Sequence, residues 1–204
     1  MSLTTLAAFW AVSMLLIITP GVDWAYTISA RLKNRVTPAV SGLLMGHMLG
    51  ILLVAAGAGA LIAQQPGVIT AMTLAGAAYL LWLGIQSVWN PSKVGTISDQ
   101  PPGSSAHWTW KGVAVSGLNP KAFLLYLALM PQFVNPAPSW PAPLQILTLG
   151  LIHILGCGAI YVLVGRGSQA KLRARPAAAI AISRFSGAAM IIIAVLLIAE
   201  RVGG

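Results

Sequence analysis

Two charged residues stand inside helix-breaking motifs within apolar stretches. Asp23 closes Thr19-Pro20-Gly21-Val22-Asp23, and Lys121 closes Asn119-Pro120-Lys121. A carboxylate so placed can hold an ammonium group or a proton; an ammonium can hold a carboxylate. Insertion scales put a charge at membrane depth at about 2.5–3.5 kcal/mol, so one retained there is a functional candidate by default. Asp23 is also one of only three acidic residues in the chain. His47 and His153 fall near the middle of two further apolar runs. Imidazoles there can relay protons near neutral pH or serve as hydrogen-bond partners between helices.

The breaks themselves have a physical logic. Thr19 and Asn119 are N-cap residue types, and Pro20 and Pro120 suit the first helical position, so each motif can end one half-helix and start another. A new helix N-terminus presents free N–H groups and partial positive charge. Gly21 allows close approach of a substrate to the backbone. The plainer alternative is a proline kink. Pro20 and Pro120 lie 100 positions apart in 204 residues, and paired interrupted segments in matching halves point to a transporter binding site.

Composition fixes the class. Hydrophobic residues make up 57% and charged residues 7%, against about 25% charged in a soluble domain. The expected fold is an all-α polytopic membrane protein. Six apolar stretches, 3–30, 37–62, 67–89, 111–134, 143–165 and 180–200, are each long enough to span, about 20 residues being needed. The net charge of +9 sits in short clusters between these runs, a topology signal that argues against a nucleic-acid partner. Arg31, Lys33 and Arg35 lie in the first link, Lys93 and Lys111 flank the third, and Arg166, Lys171, Arg173, Arg175 and Arg184 mark the fifth. The second and fourth links carry no charge, so the odd links are cytoplasmic and both termini extracytoplasmic. The N-terminus lacks a basic leader region and reads as an uncleaved first span. Trp89, Trp108 and Trp110 fit an inner aromatic belt and Trp140 an outer one. The fifth link reads as a contact to anionic lipid. Cys157, in an apolar run, reads as an inert buried thiol.

Three spans per half imply an inverted repeat: repeat one over about 1–90, a Pro/Gly/Ser-rich connector over about 91–110, and repeat two over about 111–204, all one domain. Three short matches keep their order: Thr19-Pro20 with Asn119-Pro120, His47-Met48-Leu49-Gly50 with His153-Ile154-Leu155-Gly156, and Gly76-Ala77-Ala78 with Gly187-Ala188-Ala189. At about 1.5 Å per residue, Lys121 lies about 15 Å in from Lys111 and Asp23 about 12 Å in from Arg31. Asp23, Lys121, His47 and His153 then become neighbours round one central cavity.

These residues resemble a known family. Thr19-Pro20-Gly21-Val22-Asp23 is similar to the Thr-Pro-Gly-Pro-Asp signature of the lysine-exporter, or LysE/RhtB, translocators. Gly117-Leu118-Asn119-Pro120-Lys121-Ala122 followed by Pro131-Gln132-Phe133 resembles that family's second block. Gly42 to Gly50 and Gly76 to Gly84 also fit, so the resemblance covers nearly the whole chain. Val22 departs from the signature's second proline, leaving the break to Pro20 and Gly21. The resemblance implies export of amino acids or related metabolites across a bacterial inner membrane, driven by the proton gradient.

The expected substrate and proton site comprises Asp23, Lys121, Asn119, Thr19, Gly21, His47 and His153, with Pro20 and Pro120 as helix breaks. Asp23 binds the substrate ammonium, carries the proton, or pairs with Lys121. Lys121 attracts the carboxylate, pairs with Asp23, or snorkels. Thr19 and Asn119 are caps first and contacts second. Trp24 is available for a cation–π contact or for packing. Gly42, Gly46 and Gly50 form a small-residue ridge for packing within the subunit or across a homodimer. The partners are thus a small molecule, protons and membrane lipids, with no cofactor and no metal. Metal-cation export is disfavoured because the sequence shows no ligand spacing. A hydrolase would need a nucleophile–base pair or a metal motif, neither of which occurs. A transport-inactive scaffold leaves Asp23 and Lys121 unexplained.

Overall fold

The computed structural model describes residues 1–62, 74, 77–78, 81–82, 84–91, 103–119, 122, 125–127, 129–135, 140–167 and 176–203. Pro120, Lys121 and Gly76 lie outside them. Every element among the described residues is helical. In order, they are α1 (Leu3–Ile18), α2 (Val22–Leu32), α3 (Val36–Ile62), α4 (Ser105–Gly117), a 3-10 turn (Met130–Phe133), α5 (Ala142–Arg166) and α6 (Pro176–Gly203).

The first break forms as a true interruption. α1 starts on Ser2, whose hydroxyl accepts from the Thr5 N–H, and stops at Thr19, where the backbone is extended. A residue before proline is pushed out of the helical region, so Pro20 ends α1 one residue early. α2 starts after an extended Gly21 that gives no side-chain cap. The two helices bend by 59° and together make one broken span. This corrects two details of the expected capping. Thr19 does not cap α2; its hydroxyl donates back to the Leu15 carbonyl at 2.7 Å and closes α1. Pro20 lies outside both helices instead of at the first position of the second.

Trp24 holds the bend. It is buried, and its indole N–H donates to the Ile17 carbonyl at 2.9 Å. The ring therefore fastens α2 to the last turn of α1 across the gap, a packing role that leaves its N–H occupied. α2 turns into α3 through Asn34, whose φ of 56° is a conformation Asn tolerates better than most residues.

Val36–Gly57 of α3 and Ala142–Arg166 of α5 are long and apolar enough to cross a membrane, and the α1–α2 pair adds a third span. α5 turns Leu151, Leu155 and Leu163 outward and α3 turns out Leu49, Leu52 and Leu53. Those outward leucines would be a liability in water and suit contact with lipid tails.

Two apolar clusters fill the interior. One joins α1, α3, α5 and α6 through Phe9, Ile51, Ile146, Leu149 and Met190, with Tyr126 and Met130. The other joins α2, α3, α4 and α5 through Trp24, Tyr26, Leu43, Trp108 and Tyr161. The glycine ridge of α3 packs within the chain. A Cβ at Gly42 would overlap the Thr109 carbonyl of α4, and one at Gly46 would come within 2.7 Å of the Val113 carbonyl oxygen and the Gly117 nitrogen. Gly50 faces the Tyr126 ring. Small residues here let two backbones touch, and the gain is dispersion between them.

Trp108 departs from the expected aromatic belt. It is 1% exposed, stacks 5.3 Å from Tyr26, and its carbonyl accepts from the Tyr26 hydroxyl. Trp110, two residues on, is 68% exposed. Two steps of 100° put these side chains on nearly opposite faces, so only one of the pair can face outward. Trp89 and Trp140 are exposed as a belt requires.

A buried glutamine ties Asn135 and Trp140 to the start of α5. Gln145 is 1% exposed. Its amide accepts from the Asn135 N–H at 3.1 Å and donates to the carbonyls of Asn135 at 3.0 Å and Trp140 at 2.9 Å. Gln145→Leu keeps the volume but strands these backbone groups, at about 1–3 kcal/mol for a buried unsatisfied group. The expected result is a lower unfolding temperature of the intact protein in detergent, read by size exclusion after heating.

Candidate functional site

The first turn of α2 delivers Asp23 into the bundle. The carboxyl group is buried, at 8% exposure for the residue. The Tyr161 hydroxyl of α5 donates to its Oδ2 at 2.9 Å. His47 Nε2 of α3 stands 3.4 Å from the same oxygen and 3.3 Å from the Tyr161 hydroxyl. Oδ1 is buried with no hydrogen-bond partner among the described residues. A buried carboxylate oxygen without a donor is costly, and it is the natural receptor for an incoming N–H or proton. Thr27, one turn on, donates to the Asp23 carbonyl at 2.8 Å and keeps α2 regular beneath the carboxylate.

The two histidines meet. Their rings lie 5.4 Å apart, nearly perpendicular at 83°, although 106 positions separate them in the chain. The Tyr126 hydroxyl bonds His47 Nδ1. With that hydroxyl donating, a neutral His47 carries its proton on Nε2, facing Tyr161 and Asp23. His153 bonds Ser13 of α1 through Nδ1 at 2.8 Å and Cys157 Sγ through Nε2 at 3.4 Å. Both imidazoles are buried. A polar chain therefore runs from Asp23 through Tyr161 and His47 to Tyr126, beside a second chain of Ser13, His153 and Cys157. Tyr126 belongs to the first apolar cluster and Cys157 and Tyr161 to the second.

Of the expected site residues, Asp23, His47 and His153 come together. Thr19 is buried but turned to its own helix, and Gly21 forms the extended link. Asn119 is buried just beyond α4, its N–H donating to the Ser116 carbonyl at 3.2 Å. Sequence reasoning missed Tyr161, Tyr126 and Ser13. Tyr161 stands two turns after His153 on one helix face, the signal that could have raised it. Cys157 is buried as expected, with its Sγ 3.4 Å from His153 Nε2. His47, His153 and Cys157 also offer ligand atoms within 4.8 Å of one another, a constellation to which His47 comes from a different helix.

Tyr161→Phe tests the carboxylate's setting. It deletes the charge-assisted hydrogen bond to Asp23, a loss of about 1.5–3 kcal/mol, together with the 3.3 Å contact to His47 Nε2. The expected outcome is an apparent substrate affinity weakened about tenfold or more, with expression unchanged; unaltered kinetics would take Tyr161 out of the site.

Helices apolar on the outside that bury an ionisable cluster at a broken span define a membrane transport protein. The chain belongs to the LysE type translocator family, whose model matches residues 14–201. It is therefore a transporter and not an enzyme. Among curated relatives, the cysteine/O-acetylserine efflux protein of Escherichia coli is 26% identical over 76% of this chain and 80% of its own length. The homoserine/homoserine lactone efflux protein of Salmonella typhimurium is 30% identical over 72% of each chain. An uncharacterized membrane protein of Vibrio cholerae is 37% identical over 57% of this chain, the match spanning a little over half (56%) of that protein. No solved structure matches.

Proposed function

We propose that this protein exports a small neutral amino acid, or a derivative of one, from the bacterial cytoplasm in exchange for protons. The observation that carries the reading is Asp23: a buried carboxylate at a helix break, anchored through one oxygen and unpartnered at the other among the described residues. An ammonium group and a proton are the two occupants that fit, and they exclude one another. Proton binding from outside would release substrate; proton loss to the cytoplasm would readmit it. The Tyr161–His47 chain supplies a route for that proton. Lys121, which lies outside the described residues, would take the substrate carboxylate.

Substrate class follows from charge. One carboxylate neutralises one ammonium group, and Asp23 is the single acid of the cluster among the described residues. A zwitterion with an uncharged side chain fits this better than a dibasic amino acid. The relatives named for cysteine, O-acetylserine and homoserine efflux agree with that size and charge.

The architecture in this reading is six spans as two inverted three-helix repeats, with spans one and four broken. Support comes from the cluster's wiring. His47 in the first half bonds Tyr126 of the second, and His153 in the second half bonds Ser13 of the first. Cytoplasmic odd links are supported by the grouping of basic residues. Arg35 reaches Ser105 at the start of α4, and Gly165, beside Arg166, packs on Val36 and Thr27. Arg31, Arg35 and Arg166 thereby gather at one end of the bundle; in this reading that end is cytoplasmic and both termini are extracytoplasmic. One proton moving down 100 mV yields about 2.3 kcal/mol, enough to support a severalfold to fiftyfold gradient.

The experiment is export of a panel of labelled amino acids from preloaded proteoliposomes, with and without an imposed proton gradient. Homoserine, cysteine and O-acetylserine are expected to leave faster with the gradient, and lysine not to. Equal leakage from protein-free vesicles across the panel would refute the reading.

A further inference from the structure

We propose that His47, His153 and Cys157 form a binding site for a divalent zinc-like ion, Zn²⁺ or Cd²⁺, at the centre of the bundle. Their ligand atoms lie within 4.8 Å of one another, and all three residues are buried. His153 and Cys157 are four apart on α5, so they share a face. Their Nε2 and Sγ atoms stand 3.4 Å apart. Two ligands of a tetrahedral zinc ion, at about 2.0–2.1 Å for nitrogen and 2.3 Å for sulfur, are separated by about 3.5 Å. That edge of the site is already at its liganded length.

The surroundings favour the same use. The Nδ1 atoms of both rings are tied to hydroxyls, His153 to Ser13 and His47 to Tyr126. His153 thereby directs Nε2 to Cys157 Sγ, and His47 directs Nε2 to the Tyr161 hydroxyl and Asp23 Oδ2; an ion at His47 Nε2 would take the place of a proton there, with the Nδ1 ties supplying the outer-shell contacts that metal-bound histidines need. Ligation would turn both hydroxyls into acceptors of an Nδ1–H. Charge balances as well. The ion replaces the Cys157 thiol proton, which leaves to solvent, and the resulting thiolate together with the Asp23 carboxylate offsets a divalent charge. Three protein ligands leave a fourth position for water or substrate. Thiolate and imidazole select zinc or cadmium over magnesium or calcium.

The site joins α3 to α5, which belong to different halves of the chain, and it adjoins Asp23. An ion held there would clamp the two helices together and stop export. This consequence rests on the transport reading above; the binding does not.

The test is metal titration of the full-length protein in detergent, with folding checked by size exclusion and circular dichroism. Cd²⁺ added to wild type should produce thiolate-to-cadmium ultraviolet absorption that saturates at a single equivalent, and equilibrium dialysis should retain Zn²⁺ at the same ratio. Cys157→Ser should abolish the absorption, and both it and His153→Gln should weaken Zn²⁺ retention at least tenfold. Folded wild type that gives no thiolate absorption overturns the site, as does retention equal in wild type and Cys157→Ser. In proteoliposomes, micromolar Zn²⁺ should inhibit wild-type export at least tenfold and spare the residual export of Cys157→Ser, each scaled to its own metal-free rate. Binding without inhibition overturns the clamp alone. Absence of export before any metal is added counts against the transport reading and leaves the site standing.

Discussion

Asp23→Asn reduces proton-driven export to the level of empty vesicles while the protein still inserts and folds. The substitution is nearly isosteric. The asparagine oxygen can still accept from the Tyr161 hydroxyl, which bonds Oδ2 at 2.9 Å in the native site. What disappears is the charge and the capacity to take up a proton. Loss of a charge-assisted bond to a substrate ammonium is worth about 1.5–3 kcal/mol, or about ten- to 150-fold in affinity. Loss of the proton carrier acts further, because an amide cannot couple export to the gradient at all. Two measurements separate these effects. Gradient-driven export should vanish, whereas slow downhill exchange of substrate should survive at about a tenth of the native rate or less. A folded Asp23→Asn protein that exports against a gradient at the native rate would remove Asp23 from the mechanism.

Gly42→Ala and Gly46→Ala unfold or misassemble the bundle despite adding a single methyl group each. At Gly42 the new carbon overlaps the Thr109 carbonyl; at Gly46 it comes within 2.7 Å of the Val113 carbonyl oxygen and the Gly117 nitrogen. The obstacles are backbone atoms of α4, which have no rotamer to yield. The opposite surface is no roomier, since a Cβ at Gly112 of α4 would stand 2.8 Å from the Ala39 carbonyl oxygen of α3. Overpacking of this kind costs about 1–3 kcal/mol and occasionally more, and an unyielding backbone puts these two sites at the upper end. Gly158→Ala is the control. There the new carbon meets only the flexible Leu44 side chain, at 3.4 Å, an ordinary contact. Thermal unfolding followed by size exclusion should show a large loss for Gly42→Ala and Gly46→Ala and little change for Gly158→Ala. Equal stability of all four proteins would mean that the α3–α4 contact is looser than described.

The two expectations connect through α3. That helix presents Gly42 and Gly46 to α4 and His47 to Asp23, so displacing it by a methyl group also moves the imidazole from the carboxylate. Export by any surviving Gly46→Ala protein is therefore expected to fall more than its folded fraction does.

Much of the first span was legible in the sequence because the signal is local. Proline excludes the helical conformation from the residue before it, so Thr19-Pro20-Gly21 must interrupt whatever helix surrounds it, and Asp23 must fall in the next first turn. Capping was read less well. Thr19 faces a choice between the carbonyls behind it and the N–H groups ahead, and the extended Gly21 between them settled it for the Leu15 carbonyl. Trp108 was misplaced because membrane belts are read from composition near a span end, whereas which of two neighbouring tryptophans turns inward depends on the facing helix.

The sequence by itself determined the membrane class, the broken first span, the buried charge and the family, since hydropathy, proline sterics and motif spacing act along the chain. Only the tertiary structure decided which groups Asp23 faces. Tyr161 lies 138 positions from it, and His47 lies 106 from His153. No local rule couples such distances. Packing does: glycines bring α3 against α4, while α5 lies against α1, α2 and α3. The buried polar groups left in the centre can satisfy one another only across those contacts. The same convergence brings His47 of α3 to the His153–Cys157 pair of α5 and completes a candidate metal site.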